Sequence, residues 1–451
     1  MAADATISDA SSPYAVRRRV RTFELTMTAL LLTCAWDGVR LGPAPVSDLL
    51  LVLAVPLALS SRASLVASLR RAPWLLAPAL FAAAALALGH VFPPDGAYLG
   101  ARVAYLLDLG RTADNQAVTS AAPWAILLTY AAATAIVPLL VAAASSSEGT
   151  RLPIHRALDL WAVSSLLSCG VALSDRAGWT SLSMLLPSAV ESDRQFGLAT
   201  HPNTLGFLAV LSLPVVISWL GRGKLFWITS SVGGASILIA GTVASGSRAA
   251  MAGAILAATL ELGSLVVTRG WWAVGVPAAM VALAFVIWRG SDLIAGTRFG
   301  AQAAVLASDE ARARVNARAW MDFQESPLFG IGLDAGAATS VGFLVAGGGL
   351  LAVVGFAIYV SFAVHRGLTT SRPVGHWSAN APALVALVCL VVMSFFINPI
   401  DARGAYVFVA ALVSAAFLRA GPSRAFEGQA ATRLGPARSS GREPTCDRTG
   451  R

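Results

Sequence analysis

The chain has 451 residues, of which 56% are hydrophobic and 13% charged, with a formal net charge of +9. Its mean hydropathy of +0.68 and sparse charge exclude an ordinary water-soluble domain and leave a polytopic membrane protein. Cys34, Cys169, Cys389 and Cys446 have no paired spacing, which argues against a disulfide framework or a cysteine metal site.

Residues 1–21 end in Arg17, Arg18, Arg19 and Arg21 ahead of an apolar run. That resembles the start of a signal peptide, but the many spans that follow predict an uncleaved anchor behind a cytoplasmic segment. Apolar stretches near the ~20 residues that cross a bilayer fall at 22–41, 44–60, 73–92, 123–144, 156–173, 202–220, 225–244, 248–268, 271–289, 340–362, 381–399 and 404–419. The first is the weakest, because it holds Glu24 and Asp37. The third, fourth and eighth read as long and clean. The fold class expected is all-α, a polytopic integral membrane protein with about 12 transmembrane helices. Its first nine helices occupy 22–289, a helical outer loop 290–339, and the last three helices 340–419.

An even number of spans puts both termini on one side. With that side inside, the N-terminal arginines, Arg62, Arg70, Arg71, Arg151, Arg156, Arg222, Lys224 and the tail all face the cytoplasm, as the positive-inside bias requires. Arginine supplies nearly all the basic charge and Lys224 is the only lysine, which points to a GC-rich bacterial genome. The expected location is therefore the bacterial cytoplasmic membrane, with both termini cytoplasmic. Residues 420–451, rich in Gly, Pro, Ser and Arg, read as a disordered cytoplasmic tail. Membrane lipids are its natural partners, through anionic headgroups, and nucleic acid is not implied.

Against this bias, Arg194, Arg248 and Arg312 fall at the outer ends of apolar segments. An unpaired Arg within the hydrocarbon costs about 2.5–3.5 kcal/mol on insertion scales, so three on the outer face suggest a site for an anionic group. In the stretch Asp193 to Asn203, Pro202 opens the next helix, whose free N–H groups and positive dipole end would add to Arg194 in attracting a phosphate. His201 suits a general base or acid, or a structural role. Asn203 suits a sugar contact or a bridge between helices. Ser247-Arg248 begins another helix, with snorkelling to headgroups as the simpler reading.

In the long outer loop, Ser308 to Glu325 reads as a helix with Ser308 as N-cap, Asp309 and Glu310 in its first turn, and Ser326-Pro327 as its stop. Arg314, Arg318, Asp322 and Glu325 share one face, expected to be solvated and salt-bridged. Arg312 lies with Asn316, Ala319 and Phe323 on the face expected to pack against the membrane domain. Pro327 to Gly332 follows as a turn containing Gly330 and Gly332. Asp401 and Arg403 are spaced to pair with each other.

Taken in order, these elements resemble the O-antigen ligase and O-antigen polymerase family. The resemblance rests on Arg194, Gly197 and Pro202-Asn203, then Ser247-Arg248, then an outer helix led by Arg312 and ending in Pro327 to Gly332. It covers roughly 190–360 by motif and the whole chain by topology. It implies transfer of a glycan from a polyprenyl-diphosphate donor to a glycan, lipid or protein acceptor on the outer face, with neither metal nor nucleotide sugar and with no cofactor. Arg194, Arg248 and Arg312 would bind the diphosphate, and Asn203 and Asn316 would be placed to touch glycan. Many family members carry a His-Asn after the Gly-x-Gly, and here that stretch holds Asp334 and no histidine. His201 or Asp334 would then serve as base, unless the step needs little base help or catalysis is lost. Two other readings stand beside this one. One is a transporter or flippase for an anionic or lipid-linked glycan; the other is a non-catalytic relative that binds such a glycan.

Overall fold

The computed structural model describes residues 13–42, 44–60, 62–96, 98, 122–146, 152–186, 194–269, 302–333, 337–370, 380–398 and 402–419. The expected span at 271–289, the tail 420–451, Asp334 and Asp401 lie outside the described residues.

Hydrocarbon offers the backbone no hydrogen bonds, so apolar runs of this length fold as helices that satisfy their own polar groups. In chain order these are α1 (Pro13–Thr33), α2 (Val46–Ser60), α3 (Arg62–Arg71), α4 (Ala77–Val91), α5 (Ala122–Ala131), α6 (Val137–Ser146), α7 (Ile154–Arg176), α8 (Pro202–Ser218), α9 (Leu225–Ala244), α10 (Arg248–Arg269), α11 (Gln302–Glu325), α12 (Ser340–Thr370), α13 (Asn380–Met393) and α14 (Val409–Arg419). A π turn over Ala132–Ile136 joins α5 to α6. Two-residue strands, Arg40–Leu41 and Ala44–Pro45, form a small antiparallel hairpin after α1.

Seven helical stretches are long and apolar enough to cross a membrane, or up to eight if the bent pair α2–α3 counts as one span. They fall on the expected third to eighth and tenth spans. The protein is thus a helical membrane protein, but twelve spans are not reached among the described residues. The expected span at 22–41 gives way to α1, which starts earlier and stops at Thr33. Asp37 lies beyond it and serves a loop contact instead of a helix. Two apolar helices near the C-terminus, Asn380–Met393 and Arg403–Ser414, are shorter than a span.

Helix α8 lies at the centre, packed by α7, α9, α10 and α13, with nearly every side chain buried. The Ser212 hydroxyl donates to Ser165 Oγ at 2.8 Å, which fixes the register of α8 on α7. At the far end Arg222 grips both oxygens of Asp159 at 2.6 and 2.8 Å, and Trp219 Nε1 donates to the same carboxylate at 2.7 Å. The Arg222 guanidinium also lies 4.1 Å over the Trp227 ring. The eighth span is less clean than its sequence suggested. Glu261 of α10 is 1% exposed, and its Oε2 has no hydrogen-bond partner among the described residues.

Helix α12 is interrupted at Gly349, whose φ of 59° has the left-handed sign that favours glycine. The interruption frees backbone groups that the protein must satisfy. The Pro327 to Gly332 segment does so. Ile331 and Gly332 N–H donate to the carbonyls of Ala346 and Gly347 at 2.9 and 3.0 Å, and Leu350 and Leu351 N–H donate to Pro327 and Leu328 at 2.8 and 3.2 Å. The Gly-x-Gly is therefore more than a turn: it is stitched into the broken helix. Gly330 lies so close to the Gly347–Gly348 backbone that a Cβ would stand 2.4 Å from the Gly347 carbonyl carbon.

Helix α11 begins at Gln302, upstream of Ser308, because the Ala-Leu run before that serine continues the helix. It stops at Glu325 as expected. On the face expected to be solvated and salt-bridged, Arg314 and Glu325 are exposed and Arg318 pairs with Asp322, but Asp322 is fully buried. Tyr98, from the segment after α4, donates its hydroxyl to Asp322 at 2.6 Å and takes the Arg318 guanidinium over its ring at 5.1 Å. Arg318 Nε stands 3.6 Å from Asp322, and Phe92 stacks on Phe329 at 5.9 Å. The end of α4 and the segment after it thus clasp the C-terminal part of α11 and the turn that follows.

Candidate anion site at one end of the bundle

The loop from Arg194 to His201 turns down against α7 before α8 begins. Gly197 (φ 57°) sits directly on the Ser168 carbonyl, and Leu198 N–H donates to Ser168 Oγ at 3.1 Å. Asp37 holds the other side of the loop, accepting from Thr200 N–H at 3.0 Å and from its hydroxyl at 2.6 Å. Gly38 N–H donates to the Leu198 carbonyl at 3.0 Å. These contacts leave the loop little freedom, so the side chains at its ends are held in place.

Arg194 is half-buried. Its Nε donates to the Ser245 carbonyl at 2.8 Å and one Nη to Asn203 Oδ1 at 2.6 Å. Asn203 therefore aims Arg194, with its carbonyl oxygen committed to that contact. Gln195 N–H adds a bond to the Ala244 carbonyl at 3.1 Å, tying the loop to the end of α9. Three residues beyond Ser245, Arg248 opens α10 and pairs with Asp309 of α11. That pair is nearly half exposed (47% and 44%), so its worth to stability is small. Arg312 lies one helical turn from Asp309 and is half-buried. Three arginines distant in sequence are thus carried to one rim by the loop before α8, by α10 and by α11.

His201 is the N-cap of α8, and its Nδ1 accepts from Asn203 N–H at 3.0 Å. An imidazole that accepts at Nδ1 carries its proton on Nε2, so it presents a donor to its surroundings. Desolvation, and then the positive charges of Arg194 and Arg312, hold its pKa below the ordinary histidine value. His201 is therefore neutral at neutral pH and shares one electrostatic field with those arginines. Asn316 is exposed one turn beyond Arg312, near the start of α12 at Gly342. Asp334, the other base candidate of the sequence, lies outside the described residues. Among the described residues no group of His, Cys, Asp and Glu is placed to hold a metal ion.

Sequence reasoning singled out Arg194, His201, Asn203, Arg248 and Arg312, and the structure gathers their elements at one end. Asp37, Ser168, Ser245 and Asp309, which support the site, have no signal in the sequence that assigns them to it. Asp37 was visible only as a blemish in an apolar run. No protein-family profile matches the chain, and no curated protein matches it.

Asp37→Ala is expected to loosen the Arg194 to His201 loop. The carboxylate accepts two hydrogen bonds, and a bond to a charged group contributes about 1.5–3 kcal/mol. A lower thermal midpoint together with weaker binding of inorganic pyrophosphate, both partly restored in Asp37→Asn, is the expected pattern. Unchanged midpoint and binding would remove Asp37 from the support of the site.

Proposed function

We propose that this chain is a membrane glycosyltransferase of the O-antigen ligase or polymerase kind. It transfers a glycan from a polyprenyl-diphosphate donor to an acceptor hydroxyl on the outer face of the bacterial cytoplasmic membrane. The observation that carries this reading is the convergence of Arg194, Arg312 and the His201 imidazole in one field, with Arg248 beside them. The proposal includes twelve spans with both termini cytoplasmic, which places this rim outside.

In the transfer, the acceptor oxygen bonds to the anomeric carbon as that carbon's bond to the diphosphate oxygen breaks. The polyprenyl diphosphate leaves with the electron pair. Arg194, Arg248 and Arg312 stabilise the charge it gains, through forked donors that match phosphate oxygens. His201 contributes its Nε2–H as a further donor to the diphosphate. The acceptor's proton passes to the Asp334 carboxylate, with Asn203 and Asn316 flanking the glycan path.

The test is reconstituted protein given polyprenyl-diphosphate oligosaccharide pools, with released polyprenyl diphosphate as the readout. Turnover supports the proposal; donor binding without turnover across diverse acceptors counts against it. The role of His201 has its own signature. Its pKa is low in the free protein, and a bound anion favours the imidazolium, so binding takes up a proton. Pyrophosphate affinity should therefore rise as pH falls below neutrality more in wild type than in His201→Gln, whose own curve accounts for titration of the ligand. Identical pH curves would remove His201 from the anion site.

One observation favours a second reading. Glu261, buried inside a span, is the kind of group that marks a transport path. A transporter or flippase would show substrate flux in proteoliposomes with no chemical conversion, and loss of that flux in Glu261→Ala.

A further inference from the structure

The loop that follows α7 has a fold of its own and exposes apolar side chains. Asp175, in the last turn of α7, accepts from Leu182 N–H at 2.9 Å, from Ser183 N–H at 2.8 Å and from the Thr180 hydroxyl. Thr180 also meets the Ser174 hydroxyl at 2.9 Å, and Trp179 N–H donates to the Ser174 carbonyl at 3.0 Å. Both carboxylate oxygens of Asp175 are thus occupied by donors of the loop. Thr180 and the backbone of Leu182 and Ser183 are turned onto Asp175, and Ser183 is buried. What faces outward is Trp179 (83% exposed), Leu182, Met184 and Leu185 (77% exposed).

These bonds also fix the height of the loop. Residues tied to Ser174 and Asp175 cannot rise far beyond the last turn of the span Ile154–Arg176. The Ser165–Ser212 bond sets antiparallel α7 and α8 in register, and Asp175 and Pro202 lie equally far from it along their helices. The loop is therefore level with the start of α8 and with His201, where two spans emerge together. The end of a span is where a helix meets the headgroup–acyl boundary of a bilayer. Trp, Leu and Met beside the polar groups that Ser174 and Asp175 hold suit that boundary, and Trp is enriched there.

We propose that residues 177–186 form an interfacial membrane anchor, with Trp179, Leu182, Met184 and Leu185 seated in lipid at the rim that carries the anion site. The partner is the bilayer itself, taken between headgroups and upper acyl chains. The segment is a wedge that holds the end of α7, and the site loop that follows it, against the membrane surface. This holds whether the protein transfers or transports its substrate.

The test is fluorescence of full-length protein in phosphatidylcholine vesicles. The Trp179 signal is taken as the difference between wild type and Trp179→Phe, a surface change that leaves the core untouched. Vesicles carry lipids brominated either near the headgroup end of the acyl chain or near its terminus, and iodide serves as aqueous quencher. The expected result is loss of most Trp179 emission to the shallow bromines, with weaker loss to the deep ones and little to iodide. Quenching by iodide without effect of either brominated lipid would overturn the proposal and put the loop in water. Protection from all three quenchers would also overturn it, in favour of a protein contact covering the patch. A nitroxide at Leu185→Cys, in a Cys446→Ser background where Cys34, Cys169 and Cys389 are buried, provides an independent check. Greater accessibility to oxygen than to a water-soluble nickel chelate is expected, and the reverse would overturn the proposal.

Discussion

Arg194→Lys should lose donor-dependent transfer while remaining folded. The guanidinium of Arg194 uses Nε on the Ser245 carbonyl at 2.8 Å and one Nη on Asn203 at 2.6 Å. That arrangement ties together the end of α9, the start of α8 and the loop, and it fixes the plane of the guanidinium at the rim. Lysine keeps the charge but brings a single ammonium on a flexible stem, which cannot span both acceptors and still offer paired donors to a phosphate. Each lost charge-assisted bond is worth about 1.5–3 kcal/mol, and about 1.4 kcal/mol is a factor of ten. Pyrophosphate affinity is therefore expected to fall roughly 10- to 100-fold in Arg194→Lys, and further in Arg194→Ala, with transfer falling at least as far. Titration with pyrophosphate, the transfer assay and a thermal midpoint on the same preparations separate the effects. Wild-type turnover in Arg194→Lys would take this arginine out of the mechanism. Lost binding with a collapsed midpoint would make it a structural tie instead.

How much of this was legible in the sequence depends on how local each signal was. The spans at Pro73–Val91, Pro202–Arg222 and Leu225–Ala244 follow directly from apolar length and flanking Pro, Gly or charge. The site arginines were legible because an arginine at the end of an apolar run stands out as a single residue. Contacts between distant segments were not. The spacing of Arg318 and Asp322 predicts that they are neighbours on α11, and they are. Nothing in that spacing says that Tyr98, 224 residues from Asp322, closes over the pair and removes it from water. The Gly347–Gly348–Gly349 run marks a weak point in a helix, yet only the strand-like pairing with Pro327 to Gly332 makes it a stable break. Ser308 shows the converse, a good capping residue overruled because helix-forming residues continue on both sides of it. His201 was recognised as chemically able, but its tautomer depends on a cap bond that the sequence does not display.

Gly197→Ala should be the most damaging single methyl group that can be added near the site. Gly197 has a φ of 57°, a conformation that already costs a side-chain-bearing residue about 1–3 kcal/mol. Its added Cβ would stand 2.2 Å from the Ser168 carbonyl oxygen and 3.0 Å from Ser168 Oγ. The nearest of these atoms belongs to the backbone of α7, so no rotamer change relieves the overlap and the loop must move instead. Overpacking of this kind adds about 1–3 kcal/mol, and displacement breaks the Leu198–Ser168 bond and strains the Asp37–Thr200 pair. A combined loss of about 3–5 kcal/mol is a large fraction of the ~5–15 kcal/mol that stabilises a typical protein. Gly223→Ala is the internal control. Gly223 has a φ of 72° but no atom within 4 Å of the added Cβ, so only the backbone cost remains. A thermal midpoint lowered much further by Gly197→Ala than by Gly223→Ala, with pyrophosphate binding lost only in the former, is the expected outcome. It would follow from a single physical cause: the loop that presents Arg194 and His201 is positioned by direct contact of Gly197 with the backbone of α7. Equal effects of the two substitutions would mean that the loop has room to shift, and that the anion site does not depend on its close seat against Ser168.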